Sequence, residues 1–398
     1  MSKQEFDRIA DASIVFTPGA PVNSKAFFSG RKDQVRRVAE TIPAAGRHPV
    51  IYGQRGVGKT SLANRIRDLF DDFLAVKISC DGSDTFTSIW NRILQNSSID
   101  FKTQALGFTS DAASRTILLS DILGPATPAA AEVGQLLAKI GKFTVFIIDE
   151  FDKVSDEATK RTMADLIKIV SDTAPRTTLV IVGVADNITQ LVGGHPSIER
   201  NLVQIELPTM NDDEITEILQ TGFNSLNIRM HPTIISKVPP LCNGYPHYAH
   251  LLGLSAAKAC ARNDTQELTD PLFDLACNFA VEDAIERYRD AYAKATTTTQ
   301  QSRYPLILCS CGFAKHNEKG VFRVTDVVDA IRKELSQKLT IQAVVPALGE
   351  FVGEARGHVL TAVPIRKRQC YRFTDPMMRP FLRLKARELR RVLRRGST

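Results

Sequence analysis

Gly53-Gln54-Arg55-Gly56-Val57-Gly58-Lys59-Thr60 follows the apolar run Val50-Ile51-Tyr52 and precedes an amphipathic pattern that opens at Ser61. Three closely spaced glycines let the backbone curl until successive N–H groups face one point, and the helix start behind them adds its positive dipole end. The lysine supplies a mobile positive charge and the threonine a hydroxyl oxygen, which together suit a phosphate chain carrying Mg²⁺. The stretch from Gly53 through Gln54, Arg55, Gly56, Val57, Gly58, Lys59 and Thr60 to Ser61 is therefore the candidate binding loop for ATP. Lys59 is expected on the β- and γ-phosphates, and Thr60 on the metal.

A second signal lies about ninety residues downstream in Val145-Phe146-Ile147-Ile148-Asp149-Glu150. An acid that ends a wholly apolar strand emerges at the sheet's C-terminal edge, where open α/β folds bind their ligands. Asp149 is thus expected to hold Mg²⁺ with Thr60. Glu150 is the candidate to orient and polarise an attacking water.

Apolar, β-branched runs recur at 48–52, 74–78, 143–148, 178–184 and 203–207, with helical patterns between them such as 61–70 and 157–171. That alternation predicts an α/β fold whose parallel sheet is covered by helices on both faces. After Pro208 the pattern turns helical, which predicts a small helical lid, with one long helix over 270–295. The polar run Thr296 to Ser302 reads as a linker. Beyond it, helices over 303–311, 324–335 and 340–352 precede two alternating segments, 358–363 and 369–373, and a final helix over 376–394. Three helices followed by a hairpin resemble a winged helix. The expected domains are an N-terminal segment 1–25, an α/β nucleotide-binding domain 26–208, a lid with connecting helix 209–295, the linker 296–302 and the C-terminal domain 303–398. Residues 96–131 fit the alternation poorly and suggest an insertion.

Charge is distributed unevenly. Of 51 Lys and Arg and 44 Asp and Glu in 398 residues, 20 and 8 fall within 300–398, so the rest of the chain is slightly acidic. A basic module beside a neutral one suggests a polyanionic partner. The cations concentrate in Arg366-Lys367-Arg368 and along Arg379, Arg383, Lys385, Arg387, Arg390, Arg391, Arg394 and Arg395. The third helix of the module carries no Lys or Arg, which argues against base reading from it. Contact with DNA phosphates and docking of an acidic protein effector both remain open. The seven cysteines lack metal-site spacing and are expected as free thiols, Cys309 and Cys311 as core residues. No apolar run is long enough to span a bilayer, and the first residues carry acids in place of an apolar leader. A cytoplasmic protein without membrane contact is expected.

The paired motifs and the helical segment behind them resemble AAA+ ATPases, nearest to the replication-initiator clade and the STAND switch ATPases. The resemblance implies further site residues. Val22, Gly30 and Arg31, around Phe28-Ser29-Gly30-Arg31-Lys32, match the box that closes over adenine. Asp186 or Asn187 falls at sensor 1, near the γ-phosphate. Arg200, in His195-Pro196-Ser197-Ile198-Glu199-Arg200, stands where such proteins carry an arginine finger offered to a neighbouring subunit, which implies a homo-oligomer; a surface arginine paired with Glu199 is the other reading. The sensor 2 arginine is replaced by Pro246-His247, a weaker and pH-dependent phosphate contact. The expected activity is slow ATP hydrolysis that couples nucleotide state to assembly and to DNA engagement. The alternative is a STAND-like regulatory ATPase, of a defence or mobile-element system, whose winged helix binds a protein effector.

Overall fold

A computed structural model describes residues 2–22, 24–69, 73–102, 114–123, 127–185, 188–192, 196–298, 303–365 and 368–395. Two compact units emerge. Residues 21–208 form one; residues 1–20 together with 209–398 form the other.

The chain begins with α1 (Lys3–Val15), capped by the Ser2 hydroxyl, and enters the first unit through α2 (Lys32–Thr41). There follow β1 (His48–Gly53), α3 (Lys59–Arg67), β2 (Leu74–Ser79), α4 (Phe86–Gln95), β3 (Ser98–Lys102), β4 (Ser114–Leu118), α5 (Leu119–Leu123) and α6 (Ala130–Ala138). The unit closes with β5 (Thr144–Asp149), α7 (Glu157–Thr173), β6 (Thr177–Val184), α8 (Thr189–Val192) and β7 (Leu202–Glu206). Five strands pair in parallel in the order β2-β5-β6-β1-β7. Every residue of β5 is buried, as a central strand covered on both faces requires. Trp90 on α4 meets Phe146 on β5 edge-on, and Phe151 is fully buried just beyond the same strand, so the core runs directly beneath the acidic turn. His48 fixes the start of β1 from both ring nitrogens: Nδ1 accepts from the Leu179 N–H at 3.0 Å, and Nε2 meets Ser171 Oγ at 3.0 Å.

Part of the segment 96–131 is a two-stranded hairpin. β3 and β4 pair antiparallel outside the main sheet, which is why the segment breaks the strand–helix alternation. Residues 103–113 lie outside the described residues.

The second unit continues with α9 (Asp212–Ser225), β8 (Arg229–Met230), α10 (Pro232–Ile235), α11 (Val238–Cys242), α12 (Pro246–Arg262) and β9 (Glu267–Leu268). α13 (Asp270–Glu282) and α14 (Glu286–Thr296) replace the single long helix expected over 270–295; the break falls at 283–285. β8 and β9, two residues each, pair where the sequence suggested helices alone. The C-terminal part holds α15 (Tyr304–Cys311), α16 (Val324–Leu335), α17 (Ile341–Val352), the antiparallel hairpin β10 (Leu360–Ile365) and β11 (Arg368–Phe373), and α18 (Met378–Arg395). All seven cysteines are buried and free, Cys309 and Cys311 fully so.

Helix α1 is held to this unit by Arg8, which pairs with Asp264 at 3.2 Å, and by the aromatic residue just beyond its end. Phe16, 1% exposed, lies where methyl groups on Gly222 of α9 and Gly253 of α12 would come within 2.3 and 2.4 Å of its ring. The two glycines make a slot, and Phe223 meets the ring edge-on at 5.2 Å.

Five arginines of α18 turn toward groups of their own unit. Arg387 pairs with Asp274, Arg391 reaches the same carboxylate at 2.9 Å, and Arg390 pairs with Glu334 at 2.5 Å. Arg383 donates to the carbonyls of Gly312, at 2.7 Å, and Pro240. Arg379 is buried over the rings of Phe322 and Phe373. Much of the charge that suggested a polyanion surface is spent tying α18 to α13, α16 and the loops beside them. Arg366 and Lys367 lie outside the described residues, as do the side chains of Arg394 and Arg395.

Candidate functional site

β1 ends in Gly53, whose φ of 147° and whose approach to the Leu207 carbonyl, 2.4 Å from any added Cβ, exclude a side chain. Gly56 and Gly58 take φ values of 82° and 97°, so the chain winds back on itself before α3 begins at Lys59. Lys59 is 9% exposed, and its ammonium donates to the carbonyls of Gly53 at 3.0 Å and Gln54 at 2.8 Å. Burial pushes its pKa down to about 8, against the pull of Asp152, Asp149 and Glu150. A buried ammonium that rests on two carbonyls within its own loop is poised for an anion to enter the loop.

Asp149 ends β5 and is 1% exposed. Its Oδ1 accepts from the Glu150 N–H at 2.9 Å. Oδ2 has no hydrogen-bond donor among the described residues; the Lys77 ammonium stands 3.0 Å away, off hydrogen-bonding geometry, and donates instead to Asn64 at 2.6 Å. This buried carboxylate oxygen, now ion-paired with Lys77, is a hard donor of the kind that suits Mg²⁺. Glu150 turns the chain with φ 58°, a left-handed conformation that is uncommon outside glycine, and its carboxylate meets Lys153 at 2.8 Å. Asp152 accepts from the Val184 N–H at 2.7 Å, bracing the acidic turn against the end of β6. That brace was missed in the sequence, although the acid two residues after Glu150 was its signal.

Arg31 lies against the glycine loop. It follows Gly30 in a pair of left-handed residues, is 3% exposed, and donates from Nη2 to the Val57 carbonyl at 3.0 Å and the Pro208 carbonyl at 2.6 Å. Val22 is half-buried, and its N–H donates to Ser61 Oγ at 3.2 Å. Thr60 is half-buried at the start of α3. Arg200 lies exposed in the turn before β7; its carbonyl accepts from Arg47 at 2.9 Å, and no ion pair holds its guanidinium among the described residues. Asp186, Asn187 and His195 lie outside the described residues.

In the other unit, Pro246 and His247 open α12. His247 Nδ1 meets the Pro18 carbonyl at 2.8 Å, so that nitrogen carries the hydrogen and donates. Nε2 is buried without a hydrogen-bond partner among the described residues, and burial lowers the ring's pKa, so the neutral ring offers Nε2 as an acceptor, the wrong polarity for a phosphate oxygen. In neutral form the ring holds the N-terminal segment in place.

A family model described as an AAA domain matches residues 44–192, the span that contains β1, the glycine loop, β5 and the acidic turn. Over residues 44–192 the chain is thus similar to AAA domains. Among solved structures the chain is similar to the Orc1 protein of Aeropyrum pernix in complex with DNA, at 14% identity and TM-score 0.48, covering 96% of this chain and 97% of that one. It is also similar to a Walker-type ATPase of Pyrococcus abyssi, at 15% identity, TM-score 0.46 and coverages of 93% and 99%. A third likeness is to the RuvB Holliday junction branch migration motor of Thermotoga maritima, at 12% identity, TM-score 0.45 and coverages of 91% and 96%. No curated protein matches by sequence. The parallel sheet and the glycine loop between β1 and α3 give this unit the P-loop α/β fold that its sequence predicts. Among the described residues no helix is long and apolar enough to cross a membrane.

Proposed function

We propose that the protein is an ATP-dependent switch that binds MgATP at the Gly53–Ser61 loop and hydrolyses it slowly. The observation that carries this reading is the buried Lys59 ammonium resting on the Gly53 and Gln54 carbonyls, in the same α/β unit as the buried Asp149 carboxylate. An entering phosphate replaces two neutral acceptors with a full charge, and the loop N–H groups add to it. Bound Mg²⁺ would neutralise charge on the phosphate oxygens, with Thr60 and Asp149 as the residues to hold it. Among the described residues no group of three or more His, Cys, Asp or Glu side chains is arranged to hold a metal alone, which fits a cation delivered with nucleotide. Glu150 orients the attacking water once it leaves Lys153. Asp186 or Asn187 senses the γ-phosphate. Arg200 acts on a neighbouring subunit in a homo-oligomer, a role that suits an exposed guanidinium without an ion pair among the described residues.

For the C-terminal module, which we read as a winged helix, the inward pairing of Arg383, Arg387, Arg390 and Arg391 favours a protein effector over DNA phosphates. The exposed Ile341 and Val345 on α17 agree with that choice.

Calorimetric titration with MgATP tests the central claim. Wild type should bind, Lys59→Ala should not, and Glu150→Gln should bind without releasing phosphate. Equal binding by wild type and Lys59→Ala would sink it. Mixtures of Lys59→Ala and Arg200→Ala subunits should recover turnover that neither has alone if the arginine acts across an interface.

A further inference from the structure

The chain passes between its two units twice, at Ala20–Pro21 and at Pro208–Thr209. On the AAA side, each passage is hydrogen-bonded to the glycine loop or to a residue immediately after it. The Arg31 guanidinium joins the Pro208 carbonyl to the Val57 carbonyl through one nitrogen, at 2.6 and 3.0 Å. The Val22 N–H meets Ser61 Oγ, in the first turn of α3, at 3.2 Å. On the far side both passages are fixed near the start of α12. His247 Nδ1 donates to the Pro18 carbonyl at 2.8 Å, and the Met210 N–H donates to the Gly244 carbonyl at 2.8 Å. Between these fixings only Gly19, Ala20 and Pro21 remain in the first passage, and Thr209 alone in the second.

Planarity of the peptide bond gives the Arg31 contact a directional meaning. A trans peptide points its C=O and N–H in opposite directions, so holding the Val57 carbonyl on Arg31 sets where the Gly58 N–H points. A phosphate drawn into the loop competes for that orientation. Any rotation of the 57–58 peptide, which the left-handed Gly58 permits, is felt by the nitrogen that also holds Pro208. Burial of Arg31 leaves these bonds unscreened by water. Pro21 and Pro208 have fixed φ, so a displacement passes into the next residues rather than being absorbed locally.

We propose that Arg31 and Ser61 are positioning residues that transmit the state of the glycine loop to both chain passages, and so to the start of α12. The proposal rests on nucleotide binding at that loop. Neither residue needs to touch the reacting atoms.

Hydrogen exchange on the full-length chain, at ADP and non-hydrolysable MgATP-analogue concentrations that saturate each variant, reads the amides of Val22 and Met210. Nucleotide should change both rates in wild type by roughly threefold or more. Arg31→Lys, whose single ammonium lacks the fork geometry, should lose the response at Met210 and keep it at Val22. Ser61→Ala should show the reverse. Variants that bind nucleotide and keep both responses overturn the proposal, as does a wild type that binds without either response. Should Arg31→Lys fail to fold, as its melting curve would show, Ser61→Ala decides alone by losing or keeping the Val22 response. A wild type that binds no nucleotide removes the ATP reading itself, and this inference with it.

Discussion

The Glu150 carboxylate is paired with the Lys153 ammonium, Oε2 to Nζ at 2.8 Å, in the turn that follows β5. Both side chains are partly exposed, so the pair stabilises this arrangement by only about 0.5–1 kcal/mol. In the proposed hydrolysis the carboxylate must leave Lys153 before it can address water. Lys153→Ala should raise kcat about two- to fivefold with little change in KM, measured by steady-state phosphate release. A fall in kcat would mean that the lysine assists the chemistry.

Lys59 in the free protein has a pKa of about 8, lowered by burial, and a bound polyphosphate would raise it. Binding above pH 8 should therefore take up protons, and affinity should weaken as pH rises through that value. Titration calorimetry at pH 8.5 in two buffers of different ionisation enthalpy measures the uptake directly. Zero uptake would place the lysine fully charged before nucleotide arrives.

His48 in the first unit and His250 in the other are both buried, and burial holds each near pKa 4. The unfolded chain binds protons more readily, near pH 6.5, so stability falls as pH drops below 6.5 and continues to fall until the folded pKa is reached. At pH 5 each histidine should remove on the order of 2 kcal/mol relative to neutral pH. Urea unfolding at pH 7 and pH 5 checks this, and His48→Gln should flatten the dependence for the first unit only.

Helix α18 buries Phe381, Leu382, Leu384 and Ala386 while its arginines bind acids and carbonyls of the same unit. Removing residues 376–398 should unfold that unit, seen as a lost cooperative transition in circular dichroism, and cannot serve as a clean test of DNA binding. Asp274→Ala is the better probe. It releases Arg387 and Arg391, so retention on duplex DNA at low salt should increase, with a salt slope steeper by about one to two charges. Strong wild-type retention lost in Arg387→Ala would favour DNA instead.

Features decided within a few residues of one another were legible in the sequence. The glycine loop, the apolar β5 ending in Asp149, and α16 each announce themselves by local spacing, because backbone freedom and period are properties of short windows. Where distant side chains decide, the sequence was silent. Nothing in Gly30-Arg31 shows that the guanidinium reaches Val57 and Pro208. The exchange of an arginine for Pro246-His247 was visible, but the attachment of His247 to Pro18 was not. The charge along α18 was countable, whereas its neutralisation by Asp274 and Glu334 depends on how α13 and α16 pack beside it.

The slot that Gly222 and Gly253 make for Phe16 has a consequence for the order of events during synthesis. Residues 21–208 have all their sheet partners once β7 leaves the ribosome, but α1 has no docking site until α12 has emerged. At roughly 5–20 residues per second, the first helix waits tens of seconds with Phe16 uncovered. Helix α1, made before the whole first unit, thus docks only after that unit is complete.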